Sequence, residues 1–211
     1  MKTEAYVAQT ARWPARGRHI LAQFDADSVV VYQAYRPSIG TYAAAHNDFL
    51  GGGFSLERMS WIKPNFLWMM YRCGWAQKDG QEVVLAITIQ RTAFDTILAA
   101  AVPSSHDTRR YATPDDWQLA VQRSDVRLQW DPDHGPSGAP LERRAIQLGL
   151  RGATLAQYAK PWIVRIEDIT PFVREQHLAF QRGGNSALVT PYEAVYPCEP
   201  STAQQLGIDS E

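Results

Sequence analysis

The chain has 211 residues, of which 45% are hydrophobic, and its formal net charge is −1. This length fits one domain, or one domain with a small subdomain, and this composition is enough to bury a full core. The near-neutral charge gives no global attraction to nucleic acid, and there is no run of about eighteen apolar residues that would predict a membrane-spanning helix.

The two cysteines, Cys73 and Cys198, bear on where the protein is found. Two cysteines are too few for a disulfide framework, and their spacing is not that of a metal site. The first residues also lack the charged-then-apolar pattern of a secretory signal. The sequence therefore predicts a cytoplasmic protein in a reducing compartment.

The first regular elements are expected after an irregular arm formed by residues 1–18. Ser28–Tyr35 is rich in β-branched and aromatic residues, which predicts a strand. A helix should follow from Pro37 and run through Phe49, because the glycines at 51–53 are typical of a helix stop. The N-terminal part is thus predicted to contain one strand followed by one helix.

The segment Arg58–Trp75 is the most informative part of the chain, because three Trp, one Tyr and one Phe surround a single Lys-Pro break. Met59–Ile62 is expected to form a short strand. Pro64 is placed to open a helix, since its missing N–H costs nothing in the first turn. Apolar residues then recur at helical spacing, at Phe66, Met69, Met70 and Cys73. Most aromatic side chains of this segment are expected in the core.

Three polar residues, Ser60, Lys63 and Asn65, lie at the break between this strand and this helix, off the apolar face. The backbone N–H groups at a helix start are free, and they favour an anion. A strand that ends in a polar residue and runs straight into a helix is a common place for a ligand. The sequence therefore predicts that these three residues belong to a ligand site.

The rest of the chain mixes strands and helices. The strands expected there are Glu82–Arg91, Val126–Trp130, Arg143–Arg151 and Trp162–Ile166. The expected helices begin at Thr92 with Asp95 as a capping partner, at Thr113, near Leu155, and at Thr170, the last one ending at Gly183–Gly184. A long turn over Asp131–Gly138 and an extended tail over residues 185–211 complete the prediction. Because strands and helices do not alternate strictly, we expect a single α+β domain with a mostly antiparallel or split β-sheet flanked by helices.

The strand Arg143–Arg151 has an unusual face. Its members on that face are Arg143, Ala145, Gln147, Gly149 and Arg151. Small neighbours of Gln147 leave room for a ligand against the sheet, and arginine suits phosphate or carboxylate. A solvated face on an edge strand is the alternative interpretation.

Two carboxylates and an imidazole follow the strand before it, at Asp131, Asp133 and His134. This group of side chains suits a metal site or a general acid–base pair. Asp-Pro and Gly-Pro are also ordinary turn formers, so a structured turn is the alternative.

Five segments carry a resemblance to a known family: VYQAYRPSIG, MSWIKPNFLWMMYRCGW, VRLQWDPDH, RRAIQLGLRG and IEDITPFV. Together they resemble the family catalogued as domain of unknown function 4291. The resemblance extends from near residue 6 to residue 196, and the name of the family implies no activity.

The order of elements is also similar to that of the ADP-ribosyltransferase superfamily, in particular its nucleic-acid-modifying members. In those enzymes the first strand ends in a His or Arg that holds the ribose and adenylate side of NAD, and the matching stretch here is Tyr32–Arg36. A Ser, Tyr or Thr then stands before the helix that walls the nicotinamide pocket, and Ser60–Lys63 matches it. Last comes a Glu that binds the ribose and stabilises an oxocarbenium-like transition state. Gln147 holds that position.

This resemblance implies an ADP-ribosyltransferase-like fold, NAD as the bound nucleotide, and a set of site residues. The implied catalytic residues are Gln147, Ser60 and Tyr35, and the implied cofactor-binding residues are Gln33, Arg36, Lys63, Asn65, Arg143 and Arg151. The chain departs from the pattern twice, since Gln33 or Arg36 replaces the usual His or Arg and Gln147 replaces glutamate. A full negative charge is then missing where positive charge develops, although glutamine can still hold a ribose hydroxyl. These departures leave room for a different nucleotide reaction, as in phosphotransferase relatives that rely on several arginines.

Three functions are therefore considered. The first is an NAD-dependent ADP-ribosyltransferase-like enzyme that acts on nucleic acid or a small molecule. The second is a non-catalytic module that binds a nucleotide or single-stranded nucleic acid, with Trp13 and Trp61 stacking on bases. The third is a metal-assisted hydrolase that uses Asp131, Asp133 and His134.

Overall fold

The computed structural model describes residues 1–108 and 110–209, and these ranges contain interleaved strands and helices. The strands are β1 (Thr3–Ala5), β2 (Gly17–Arg18), β3 (Leu21–Ala22), β4 (Ser28–Tyr35), β5 (Ser60–Ile62), β6 (Val83–Gln90), β7 (Ala101–Pro103), β8 (Val126–His134), β9 (Pro140–Leu150), β10 (Ile163–Asp168), β11 (Val189–Pro191) and β12 (Ala194–Val195). The helices are α1 (Tyr6–Thr10), α2 (Pro37–His46), α3 (Phe66–Cys73), α4 (Arg91–Ala99), α5 (Pro114–Arg123), α6 (Gly152–Tyr158), α7 (Thr170–Gly183) and α8 (Pro200–Leu206), with a short 3-10 helix over Gly184–Ala187. The mixed α+β class expected from the sequence is confirmed.

Two larger sheets carry most of the strands. β6 is the centre of an antiparallel three-stranded sheet, with β10 and β4 on either side. The second sheet has the order β2-β9-β8-β7, with β5 also paired to β9. In it, the β8–β9 and β5–β9 pairs are antiparallel and the β2–β9 and β7–β8 pairs are parallel. The strands are thus mostly antiparallel and divided between sheets, as the sequence predicts.

The two larger sheets come together at β4 and β5. The residue after β5, Lys63, makes an isolated antiparallel bridge with Tyr32 of β4. The Tyr32 N–H donates to the Lys63 carbonyl at 2.7 Å, and the Lys63 N–H donates back to the Tyr32 carbonyl at 3.2 Å. Since Ser60–Ile62 pair with β9, this short strand lies between β4 and β9 and joins the two sheets.

Both faces of β4 are buried, which explains its lack of a polar face. Val29 and Val31 belong to one apolar cluster, which also takes residues from β6, β8, β9, α4 and α6. Val30 and Tyr32 belong to a second cluster, which takes residues from α1, α3 and α7. Successive side chains of a strand point to opposite faces, so β4 packs against one of these two clusters on each of its faces.

The two ends of the chain differ from the prediction. Residues 1–18 are not an irregular arm, because they contain β1, α1 and β2. The described part of residues 185–211 is not an extended tail either, because it contains β11, β12 and α8, while residues 210 and 211 lie outside the described ranges. The physical reason is pairing across the length of the chain. β1 pairs with β11 and β3 pairs with β12, and strands of two or three residues carry little local signal.

Two helices begin one or two residues away from the start that the sequence predicts. α3 begins after Pro64, because the side chain of Asn65 accepts the Trp68 N–H at 2.7 Å and acts as the N-cap. α4 begins at Arg91 and has no side-chain cap. Asp95 is used elsewhere, as the acceptor of the Tyr196 hydroxyl at 2.6 Å. Each helix exists as predicted, but its first residue depends on which side chain reaches the backbone.

Two predicted boundaries are also wrong. α2 ends at His46 with Asn47 in a left-handed conformation, well before the glycines at 51–53. The expected long turn after Trp130 is shorter, because Asp131–His134 continues β8 and pairs with β9. β8 accommodates the Asp-Pro pair with a shift of register between Pro132 and His134.

Candidate functional site

A cavity of about 400 Å³ opens where β4, β5, β8 and β9 come together. We call it the junction cavity. Its lining residues are Gln33, Ala34, Tyr35, Met59, Ser60, Trp61, Lys63, Met69, Arg72, Gln81, Gln129 and Gln147. Five of the site residues predicted from the sequence are among them, namely Gln33, Tyr35, Ser60, Lys63 and Gln147.

A chain of hydrogen bonds holds the β4 and β5 side of the junction cavity. The Gln33 amide nitrogen donates to Ser60 Oγ at 2.8 Å and to the Trp61 carbonyl at 3.1 Å. The Tyr158 hydroxyl donates to Gln33 Oε1 at 2.7 Å, and the Tyr35 hydroxyl lies 2.8 Å from Ser60 Oγ. Burial raises the pKa of Tyr35 and of Tyr158, so both hydroxyls stay protonated. These bonds fix the orientation of the Ser60 hydroxyl.

Gln147 projects from the β9 side with its amide oriented. Its Nε2 donates to Gln129 Oε1 and to Asp131 Oδ2, both at 2.7 Å. An ionised carboxylate accepts hydrogen bonds and cannot donate them, so Asp131 fixes which end of the Gln147 amide faces it. Both N–H groups are then used within the described residues, and the carbonyl oxygen Oε1 is the part of the amide left for a ligand.

Lys63 is buried in the wall of the same cavity, with 5% of its surface exposed. Its Nζ lies 3.4 Å from the Trp61 carbonyl, and no carboxylate of the described residues is within ion-pair distance of it. Burial and the positive charge of Arg72 lower the pKa of Lys63 to about 8, against the opposing charge of Asp131. Lys63 is therefore a lysine that is partly neutral near physiological pH.

A second cavity, of about 340 Å³, adjoins the first and shares Tyr35, Met59 and Ser60 with it. Arg36, which the sequence predicts as a nucleotide-binding residue, lines this second cavity together with Arg58. Gly53 has a φ of 86°, and an added Cβ there would lie 2.8 Å from Arg36 Nη2. The positive φ favours glycine at this position, and an added Cβ would displace the guanidinium.

Asn65 does not line either of these cavities. Its side-chain oxygen caps α3, and its amide nitrogen donates to Glu193 Oε2 at 3.3 Å. Glu193 also accepts the Phe66 N–H at 2.6 Å. Asn65 and Glu193 accept the Trp68 and Phe66 N–H groups of the helix start, where the sequence predicted an anion site. The acceptors there are side chains of the protein itself.

The environment of Glu193 predicts a pH dependence of stability. Burial raises the pKa of Glu193 from 4.5 to about 8, and the nearby charge of Asp133 adds to this. Between about pH 4.5 and 8, the folded chain keeps a proton that the unfolded chain has lost, so the free energy of unfolding falls as pH rises. We expect Glu193→Gln to make this slope shallower by up to about 1 kcal/mol per pH unit.

Urea unfolding of wild type and of Glu193→Gln, at several values between pH 5 and 8, measures both slopes. Glu199→Gln is the matched control, because Glu199 is exposed and its removal should leave the slope of the wild type. Equal slopes for wild type and Glu193→Gln would contradict the prediction.

Arg143 and Arg151 also lie outside the junction cavity, although they share a strand face with Gln147. Arg143 is paired with Asp133 at 2.6 Å and donates to the Pro14 carbonyl at 2.7 Å. Arg151 donates to the Ser124 carbonyl at 3.0 Å and pairs with Asp125 at 3.7 Å. The geometry gives no support to a cofactor-binding role for either of them.

The room that the sequence predicts beside Gln147 is also used by the protein. A Cβ added to Gly149 would lie 2.6 Å from Met59 Sδ and 3.0 Å from the Trp61 ring. Gly149 therefore makes space for two side chains of the neighbouring β5 region, and both line the junction cavity together with Gln147.

The two carboxylates and the imidazole at the end of β8 each have a different partner. Asp131 accepts from Gln147, Asp133 pairs with Arg143, and the His134 ring stacks on Tyr71 with centroids 3.5 Å apart. Among residues 1–108 and 110–209, no group of three or more His, Cys, Asp or Glu side chains is arranged to hold a metal ion. The geometry thus gives no support to a metal-assisted hydrolase.

The two tryptophans proposed to stack on bases differ in their positions. Trp13 is buried, and its ring nitrogen donates to the Glu193 carbonyl at 2.8 Å. Trp61 is half-buried and lines the junction cavity. Trp13 lines a separate cavity, together with Arg12 and Arg16, so of the two it is Trp61 that lies beside the predicted site residues.

Four polar residues that line the two cavities were not predicted as site residues from the sequence, namely Gln129, Arg58, Arg72 and Gln81. Gln129 carried a usable signal, because it is the direct cross-strand partner of Gln147 and both are isolated glutamines on strands. The other three are ordinary polar residues of loops or of a helix face, and their positions depend on how α3 and the turn before β6 pack.

The fold and the site define an α+β protein with a polar cavity at the junction of two sheets. Residues 19–196 match the family model described as Domain of unknown function (DUF4291). This match covers the bulk of the chain, so the chain belongs to that family, as its sequence motifs predict. A search of curated proteins found no match. None of the described helices is long and apolar enough to cross a membrane.

Proposed function

We propose that this protein is an enzyme of the ADP-ribosyltransferase type, which binds NAD in the junction cavity and acts on nucleic acid or a small molecule. One observation carries the proposal. The three stretches that resemble motifs of that superfamily each bring a side chain to the same cavity, as Gln33, Ser60 and Gln147. These residues lie on three separate strands, so their convergence is not a consequence of closeness in sequence.

The two adjoining cavities suit the two halves of a dinucleotide. Their volumes, about 400 Å³ and 340 Å³, lie in the range of small-molecule sites. In this proposal the junction cavity takes the nicotinamide ribose, and the second cavity takes the phosphates next to Arg36 and Arg58. Guanidinium groups match phosphate oxygens in charge and geometry.

The ribose would be held from two sides. Gln147 Oε1 is oriented to accept a hydrogen bond from a ribose hydroxyl, and Ser60 with Tyr35 orients the ring from the opposite strand. Gln147 is neutral, but its amide donates to the carboxylate of Asp131. A hydrogen bond to an anion polarises the amide and makes Oε1 more negative. Asp131 would thereby supply, through Gln147, part of the charge that glutamate supplies in the enzymes it resembles.

Calorimetric titration with NAD tests the proposal directly. We expect saturable binding to the wild type and a loss of affinity of about tenfold or more in Arg36→Ala, because charge-assisted hydrogen bonds contribute about 1.5–3 kcal/mol. Arg174→Ala is the matched control, since Arg174 is exposed on α7 and does not line either cavity. Its affinity should equal that of wild type.

No heat at millimolar NAD would contradict the proposal. The observation that Trp61 lines the cavity would then favour the second function, a module that binds a nucleotide or single-stranded nucleic acid without catalysis. Titration with a short single-stranded oligonucleotide would follow, and an affinity that falls steeply with salt would support that function.

A further inference from the structure

The junction cavity contains no ordinary proton acceptor. Among its twelve lining residues there is no Asp, Glu or His. The side chains that can change protonation are those of Tyr35, Lys63 and Arg72. Arginine keeps its proton at every accessible pH, and burial raises the pKa of Tyr35, so its hydroxyl also stays protonated. Of these side chains, Lys63 is the one whose neutral form can accept a proton.

A proton acceptor is required by the chemistry of transfer. An attacking N–H or O–H group must lose its proton when it bonds to carbon, and Gln147 cannot take it because an amide is not a base at neutral pH. Asp131, whose carboxylate lies behind Gln147, does not line the junction cavity. The base must therefore come from another wall of the site.

Lys63 lines the same cavity as Gln147 and Ser60. Its backbone is fixed by the paired hydrogen bonds to Tyr32, at the junction between β4 and β5. Among the described residues, its Nζ has one hydrogen-bond partner, the Trp61 carbonyl at 3.4 Å. That carbonyl already accepts from Gln33 at 3.1 Å, so it holds the amine weakly. An amine held by one long hydrogen bond keeps its lone pair available for a substrate.

The charged and titratable groups around Lys63 come from three elements. Burial and Arg72 on α3 oppose its protonation, while Asp131 on β8 and Cys73 on α3 favour it. Tyr35 on β4 lines the same cavity and stays neutral. Burial outweighs the favourable charges, and the resulting pKa of about 8 makes a substantial fraction of the amine neutral near that pH.

We infer that Lys63 is a catalytic residue, whose neutral amine takes the proton of the acceptor nucleophile. This inference rests on the proposed function. The acceptor N–H or O–H group bonds to C1′ of the ribose while the bond from C1′ to the nicotinamide nitrogen breaks. The electron pair of that bond leaves with nicotinamide, which becomes neutral, and the proton of the acceptor moves to Lys63 Nζ. The inference also assigns the substrate class: the acceptor carries an ionisable N–H or O–H.

The first arm of the test measures the ionisation of Lys63 without any ligand. The sequence has four lysines, Lys2, Lys63, Lys78 and Lys160, so NMR of lysine side chains in isotopically labelled protein gives four signals. We expect one signal to titrate near pH 8 and to be absent from Lys63→Met. Four signals of which none titrates near pH 8 would overturn the inference.

The second arm measures nicotinamide release and NAD affinity together. Lys63→Met and Lys63→Arg should each slow release at pH 8 by about a hundredfold or more, because neither side chain can accept the proton, while NAD affinity changes by less than about threefold. Lys160→Met is the matched control, because the Lys160 side chain is exposed after the end of α6, and it should keep the rate of wild type. A loss of affinity with an unchanged rate at saturation would make Lys63 a phosphate anchor and overturn the inference.

The two arms separate this inference from the function on which it rests. If Lys63 titrates near pH 8 but NAD gives neither heat nor nicotinamide, the proposed function fails and, with it, the assignment of the acceptor. If NAD binds and is cleaved but Lys63 titrates above pH 10, the proposed function stands and the inference fails.

Discussion

Replacing Arg143 with alanine is expected to lower the free energy of unfolding by about 3–5 kcal/mol. The Arg143 and Asp133 side chains are 8% and 2% exposed, and Nε and Nη2 of the guanidinium both donate to Asp133 Oδ2, at 2.8 and 2.6 Å. The other oxygen of Asp133 accepts the backbone N–H of His134, at 2.8 Å. Without the arginine, a buried carboxylate loses its countercharge, and the remaining hydrogen bond cannot replace it.

Urea unfolding at pH 7 measures this effect, and Arg151→Ala is its matched control. Arg151 follows the same strand, but its ion pair with Asp125 is 41% and 36% exposed, so we expect a loss of about 1 kcal/mol or less. The double variant Arg143→Met with Asp133→Leu removes both charges and should be more stable than Arg143→Ala. A loss below about 1 kcal/mol for Arg143→Ala would show that the buried pair is not what holds this end of β9.

The same strand shows what the sequence can and cannot predict about the site. Gln147 was identified because a glutamine between small residues on a strand is a local signal. Arg143 and Arg151 share its face, but four strand residues span about 13 Å, so each reaches a different neighbourhood. Arg143 meets Pro14 from the N-terminal region, and Arg151 meets Ser124 at the end of α5. No window along the sequence contains these partners.

At the break after β5, by contrast, local sequence features do predict residues of the site. Ser60 and Lys63 were expected in a ligand site because a strand end and a helix start are local features, and both line the junction cavity. Asn65 carried an equally local signal, that of an N-cap residue, which competes with a ligand role. The deciding partner was Glu193, 128 residues away. Local features therefore predict that Ser60 and Lys63 lie in one cavity. The role of Asn65 depends instead on its hydrogen bond to a side chain that is remote in the sequence.

The terminal segments of the chain also depend on partners that are remote in the sequence. The long strands β4, β6 and β9 were predicted because their burial patterns are visible within eight to eleven residues. β1 and β12 have three and two residues, and they exist because β11 and β3 come to lie beside them. Their stability comes from these pairings between residues far apart in the sequence.

A large effect on activity is expected at Gln147. Gln147→Ala should lower nicotinamide release by about a hundredfold or more, with an unchanged unfolding midpoint in urea as evidence that the fold is intact. Gln129→Ala is the matched control, because it removes the neighbouring amide on β8 and leaves the bond from Gln147 to Asp131. It should reduce release less than tenfold. Unchanged release in Gln147→Ala would remove this residue from the mechanism.

The pairing of Gln147 with Asp131 makes a sharper form of this prediction possible. Gln147→Glu alone should not increase release, because it brings a second carboxylate within hydrogen-bond distance of Asp131, and two like charges so close disfavour ionisation of both. Adding Asp131→Asn supplies an amide that can donate to the new carboxylate at position 147, so one full negative charge faces the ribose. We expect the double variant to exceed the rate of wild type, because a charge stabilises developing positive charge better than a polarised amide does. A double variant slower than Gln147→Glu would show that Asp131 acts through its own charge.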